Sequence, residues 1–147
     1  MAAPPARKSV FQCAFPPGVR IQDYIARVLR YARCHEGCAV VSLVYLDRLL
    51  KRHPWITVGP LTCHRLVLVS VVLAIKFWDD TYYSNSFYSK VGGVQLKDLN
   101  NLEKTYLQLL DYRLCVDPRE YEEYRGIIMK AAQLPAPGGK SIAPGAA

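Results

Sequence analysis

The stretch His64–Gly93, HRLVLVSVVLAIKFWDDTYYSNSFYSKVGG, decides the fold. From Leu66 to Ile75 only Ser70 interrupts an apolar run, and Arg65 and Lys76 close it at both ends. As a helix that run is about 15 Å long, whereas a bilayer core needs about 20 apolar residues. It reads as a buried core helix and not as a membrane span. Val67, Val69, Val71, Val72 and Ile75 are β-branched and would suit a strand. The near-continuous segment from Thr62 to Asp80 is about 18 residues, however, too long for an ordinary strand. Tertiary burial overrides so weak a local preference. Thr62 is the expected N-cap. A short helix is expected from Ser84 to Lys90, stopped by Gly92-Gly93. That glycine pair follows a helix and lacks the strand–loop–helix context of a phosphate cradle, so it reads as a C-cap turn.

Upstream, Ile21, Tyr24, Ile25, Val28 and Leu29 recur at helical spacing, with Asp23, Arg27 and Arg30 on the opposite face. The segment from Glu36 to Lys51 is apolar almost all round and must be enclosed by other helices. Pro54 and Gly59-Pro60 break the connection that follows. Downstream, a helix over Leu96–Asp111 places Leu96, Leu99, Leu102, Tyr106, Leu109 and Leu110 inward. Asp117-Pro118-Arg119-Glu120 then carries Asp at the N-cap, Pro at the first helical position and Glu two further on. The stripe of that last helix is Tyr121, Tyr124, Ile127, Ile128 and Ala131. Residues 1–10 and the Pro/Gly/Ala-rich 134–147 are expected to be disordered tails.

The chain of 147 residues fits one domain, and a 51% hydrophobic share excludes global disorder. Its net charge of +7 lies wholly in residues 1–75, where Arg20, Arg27, Arg30, Arg33, Arg48, Lys51 and Arg52 are prominent; residues 76–147 are neutral. Such a face attracts anions or is simply a solvated surface. No RNP, zinc-finger or helix-turn-helix pattern marks it as a nucleic-acid interface. The N-terminus lacks the apolar segment of a secretory signal, and the five cysteines cannot all pair within one chain. An intracellular protein, cytoplasmic or nuclear, with reduced thiols is expected. Cys34-His35 with Cys38, and Cys63-His64, lack the two tight ligand pairs of a structural zinc site, so no metal and no cofactor are expected. His35, His53 and His64 share no catalytic spacing, and no nucleophile–base set can be assembled; an enzyme is not expected.

Three strings carry a resemblance: VYLDRLL (Val44–Leu50), the opening stretch His64–Gly93, and DLNNLEKTYLQLLDYRL (Asp98–Leu114). Over roughly residues 19–126 the sequence resembles the cyclin box. It is most similar to the single-box P-type group of plant cyclin-U proteins and fungal phosphate-pathway cyclins. The resemblance implies an all-α fold: five helices around a buried central one over residues 19–131, counting an additional C-terminal helix. It also implies a non-enzymatic subunit that docks on the mobile αC helix of a cyclin-dependent protein kinase and switches it on. By motif Lys76 and Glu103 would fix that docking, one donating to kinase carbonyls and the other accepting from kinase amides, with Phe77 beside them. Asp79 and Asp80 oppose the negative end of their own helix, so a cationic partner is expected, such as arginines of the kinase activation segment. Asp47 is expected to form a structural ion pair with Arg20, or with Arg27. Tyr82, Tyr83, Phe87 and Tyr88 form an aromatic cluster that packs internally or faces the kinase. The Met-Arg-x-Ile-Leu start of mitotic cyclins is replaced by GVRIQDYI (Gly18–Ile25), so their substrate-docking patch is not carried over. The alternative is a cyclin-box scaffold for nucleic acid or the transcription machinery, resting on the basic first half. No membrane or small-molecule partner is expected.

Overall fold

The computed structural model describes residues 9–133, which form six helices and no strand. They are α1 (Ile21–Tyr31), α2 (Gly37–Arg52), α3 (Cys63–Trp78), α4 (Asn85–Gly92), α5 (Leu96–Leu109) and α6 (Pro118–Gln133). α3 is the centre, packed against α1, α2 and α5. From Leu66 to Ile75 every residue is buried except the half-buried Val67. A valine loses up to about 0.7 kcal/mol in helix propensity relative to alanine, whereas burying it gains about 1.5–3 kcal/mol. Burial wins, and the β-branched run is helical. Ser70 is not left unsatisfied: its Oγ donates to the Leu66 carbonyl at 2.6 Å and lies 2.6 Å from the Tyr106 hydroxyl of α5.

α2 buries Val40, Val41, Val44, Tyr45 and Leu49 against α3. The turn between α4 and α5 is set by glycine twice, for two reasons. A Cβ on Gly92 would stand 2.3 Å from Leu68 Cδ2, so α4 reaches α3 only because that atom is missing. Gly93 takes φ 65° and ends the helix, its N–H bonding the Lys90 carbonyl while Val94 N–H bonds Ser89. Tyr24 of α1 donates to the Gly92 carbonyl at 2.7 Å and ties the turn down from the other side.

Asp117 caps α6 as its sequence suggests, Oδ1 accepting from Glu120 N–H at 2.9 Å. Thr62 does not cap α3. Its hydroxyl turns back to the preceding loop, donating to the Thr57 carbonyl and accepting from Gly59 N–H. The stripe expected along α6 is covered mainly over its first half, with Ile128 half-buried beyond it. Tyr121 and Tyr124 pack against the core, but Ile127 is 55% exposed and Ala131 is also exposed. Leu96, expected inside α5, is likewise exposed.

The packed region begins before residue 19. Phe11 is completely buried, edge-on to Tyr106 with ring centroids 5.9 Å apart. Val10 packs on the core, and its carbonyl accepts from Arg65. The tails expected at 1–10 and 134–147 otherwise lie outside the described residues. No helix among those described is long and apolar enough to cross a membrane.

Candidate functional site

Lys76 and Glu103 lie far apart in sequence, and the packing of α3 on α5 brings them together. Lys76 sits in the last turn of α3, where a cation complements the helix dipole. Its ammonium bonds both oxygens of Glu103, at 2.8 and 3.0 Å. Asn85, the first residue of α4, adds its Nδ2 to Glu103 Oε2 at 2.7 Å and to Asn100 Oδ1 at 2.8 Å. Three helices therefore meet at one charged, half-buried knot. The side chains of Lys76 and Glu103 are 26% and 15% exposed, so both remain within a partner's reach. The two residues were expected to fix a partner's register together, one as donor and one as acceptor; in the free chain each already satisfies the other. Lys76 retains one N–H, and the carboxylate retains lone pairs. Asn85 is the member that charge-based reading missed. Its only sequence signal is its place just after Ser84, which caps α4 by accepting from Phe87 N–H.

Apolar surface flanks the knot. Phe77 is 47% and Trp78 44% exposed, edge-on to one another. Trp78 Nε1 donates to the Tyr45 hydroxyl at 2.9 Å, and Tyr45 donates to the Leu114 carbonyl, which fixes the indole. Along α5, Asn100, Glu103, Lys104 and Leu107 line a shallow hollow of about 250 Å³ closed by the exposed Tyr112. Of the aromatic cluster, Tyr88 is buried, whereas Tyr82 and Tyr83 stay exposed. The Tyr88 hydroxyl accepts from Tyr83 N–H.

Asp79 and Asp80 do not act as a pair. Asp79 Oδ2 accepts from the His35 backbone N–H at 3.2 Å, beside the start of α2. The positive end of that helix stabilises a carboxylate there. Asp80 is exposed and, among the described residues, forms no ion pair. Both line a cleft of about 310 Å³ with His35, Trp78 and Tyr121.

The expected Asp47–Arg20 ion pair is not formed. Arg20 precedes α1 and pairs with Asp23, one turn along its own helix, at an exposed position. Arg27, the second choice, donates to the Lys90 carbonyl. Asp47 faces α6 instead, accepting from the Tyr124 hydroxyl and pairing with Lys51 at 2.9 Å. Partial burial raises its pKa, but the Tyr124 and Lys51 hydrogen bonds outweigh that and hold the carboxyl below the usual range. The neighbouring Arg48 was expected only as surface charge. It clamps the turn before α6 through the carbonyls of Arg113 and Cys115, and it pairs with Glu120.

Near Asp79, the neighbouring Cys38 thiol lowers the Cys34 thiol to about 7, with burial opposing, and Cys34 Sγ donates to the Leu29 carbonyl at 3.8 Å. Cys38 is pushed up by its Cys34 neighbour and by burial. Among the described residues no three His, Cys, Asp or Glu side chains are grouped to hold a metal ion.

A family model described as Cyclin matches residues 2–114. The chain is 40% identical over 131 residues to Cyclin-U4-1 of Arabidopsis thaliana, covering 89% of this chain and 65% of that protein. Cyclin-U1-1 of the same plant is 42% identical over 118 residues, 80% of this chain and 56% of its own length. Cyclin-P4-1 of Oryza sativa subsp. japonica is 37% identical over 123 residues, 84% and 58% respectively. The chain thus spans between half and two thirds of the length of these relatives.

Proposed function

The chain belongs to the cyclin family, with relatives of the U and P types, and from that premise we propose that it binds a cyclin-dependent protein kinase and activates it. Cyclins are regulatory subunits and not enzymes, so the chemistry sought is recognition. The observation that carries the reading is the Lys76–Glu103–Asn85 knot beside exposed Phe77, where the end of α3 meets the middle of α5. An αC helix presents an apolar face and, at its ends, backbone groups without intrahelical partners. Phe77, with Leu107 of α5 and Tyr112 just beyond its end, offers the apolar platform. The spare N–H of Lys76 and the lone pairs of Glu103 meet the backbone groups and fix register. Docking in that register presses the kinase helix inward, so that its glutamate pairs with the lysine that holds the ATP phosphates. Asp80, which forms no ion pair among the described residues, is the carboxylate assigned to arginines of the activation segment.

The test uses a panel of purified cyclin-dependent kinases, with complex formation read by calorimetry and activation by phosphate transfer to a peptide. Lys76→Glu and Glu103→Lys each break the knot and should weaken binding at least about tenfold. The double exchange rebuilds an ion pair inside the chain but presents each charge from the wrong helix. It should keep the helical spectrum and melting temperature while binding stays weak. Full recovery of binding in the double variant would reduce the knot to a structural role. Asp80→Asn should lower activation more than binding.

A further inference from the structure

Two stretches without a single carboxylate face each other across α1 and α4. Residues 24–35 carry Arg27, Arg30 and Arg33 and no Asp or Glu; residues 81–97 carry Lys90 and Lys97 and again none. α1 packs on α4, leaving a groove of about 360 Å³ lined by Arg27, Tyr31, Arg33, Phe87, Lys90 and Val91. Val91 is its buried floor, Phe87 is half-buried, and Tyr31 is 54% exposed. Elsewhere on the chain Arg48, Lys51, Arg65 and Lys76 each have a carboxylate partner. Among the described residues, Arg27, Arg30, Arg33 and Lys90 have none. Uncharged groups place two of them instead. Arg27 is held by the Lys90 carbonyl at the C-terminal end of α4, and the Arg30 guanidinium lies 5.4 Å from the Tyr31 ring. Arg33 takes φ 55°, a conformation uncommon for a residue other than glycine.

Like charges gathered around an apolar slot are unfavourable until an anion arrives, and the slot itself selects what kind of anion. A nucleic-acid duplex presents a charge about every 1.7 Å and is met by an extended basic track. Here the cations surround one pocket of side-chain size with aromatic walls. A buried apolar anchor with a charged rim is the anatomy of a peptide site. We propose that the α1–α4 groove docks an acidic peptide segment of a partner protein. One aromatic or large aliphatic side chain lies over Val91 between Tyr31 and Phe87, and the flanking carboxylates meet Arg27, Arg33 and Lys90. The groove lies at the C-terminal end of α4 and the Asn85–Glu103 contact at its other end, about 8 Å along the axis. A docked peptide leaves that knot free, so the proposal does not depend on the kinase reading.

Fluorescence anisotropy with a labelled peptide DEDFEDE tests it on the whole chain, alongside DEDAEDE, KRKFKRK and a short DNA duplex. DEDFEDE should bind saturably and weaken as salt is raised. Replacing its Phe by Ala should weaken binding at least about fivefold, and KRKFKRK should not bind. The double variant Arg33→Glu/Lys90→Glu should lose at least about tenfold. Both residues are exposed, so circular dichroism and thermal melting should be unchanged, and Tyr31→Ala should weaken DEDFEDE more than DEDAEDE. Equal binding of DEDFEDE and DEDAEDE would leave only a counterion surface and overturn the proposal. So would tighter binding of the duplex than of the peptide, or no binding up to about 1 mM.

Discussion

Cys34 shows how a neighbouring side chain sets the chemistry of a residue. The Cys38 thiol beside it lowers its pKa to about 7, against the opposing effect of burial. More of it is therefore the reactive anion at neutral pH than of an ordinary thiol. Iodoacetamide followed by peptide mass spectrometry should therefore modify Cys34 ahead of Cys115, although Cys115 is the more exposed. The rate of that modification should rise through a midpoint near pH 7. In Cys38→Ala that neighbour is gone, and the midpoint should move back toward the ordinary thiol range. A midpoint that ignored the substitution would remove Cys38 as the cause. Since Cys34 and Asp79 both belong to the junction of α1, α2 and α3, alkylation at Cys34 should also disturb the Asp79–His35 contact.

At the scale of the element, the end of α4 separates two roles that adjacent glycines play. Gly92→Ala places a methyl 2.3 Å from Leu68 Cδ2 in the packed core, so α4 must move away from α3; a loss of about 1–3 kcal/mol is expected. Gly93→Ala meets nothing closer than Arg27 Nη2 at 3.6 Å, and its cost is the left-handed backbone alone, about 1–2 kcal/mol. Urea unfolding measures both, and only Gly92→Ala should be partly rescued by Leu68→Ala, which vacates the colliding atoms. The helices themselves were legible because apolar residues recur at helical spacing and because Asp117-Pro118 and Gly92-Gly93 are local signals. Thr62 looked like a cap but had a stronger competitor in the Gly59 turn. Phe11 was hidden, since one aromatic in a Pro-rich lead has no periodicity to mark it. The partner of Lys76, and the Tyr124 phenol that meets Asp47, depend on which helix lies opposite, a long-range fact, whereas Lys51 is only one turn from Asp47 on α2. Motif resemblance placed Lys76 and Glu103 on the same surface, but local spacing could not show that they bond each other. For Asp47 the same reasoning chose the wrong helix, α1 instead of α6.

Burial falls from α3 outward, and α6 is the least buried of the six helices. No residue of α6 is buried, and it packs chiefly on α2. Tyr124 on Asp47 and Glu120 on Arg48 hold it there, together with the half-buried rings of Tyr121 and Tyr124. Native-state hydrogen exchange should show Ile127–Gln133 opening with little protection, while amides from Leu66 to Ile75 exchange only with global unfolding. The Asp47 carboxyl gives this docking a pH dependence of fixed sign. Its pKa is lower in the folded chain than in the unfolded one, so its contribution is complete above about pH 4 and is lost as pH falls through the folded value. Acidification should release α6 before the rest, seen as loss of protection at Tyr121–Gly126 while α3 remains protected. Tyr124→Phe deletes the phenol that helps hold Asp47 ionised and should cost about 1 kcal/mol at neutral pH. With the carboxyl pKa closer to its unfolded value, the same variant should lose less stability between neutral pH and pH 3 than the wild-type chain. An equal loss in both would mean that Lys51 alone sets the Asp47 titration and that the phenol only packs.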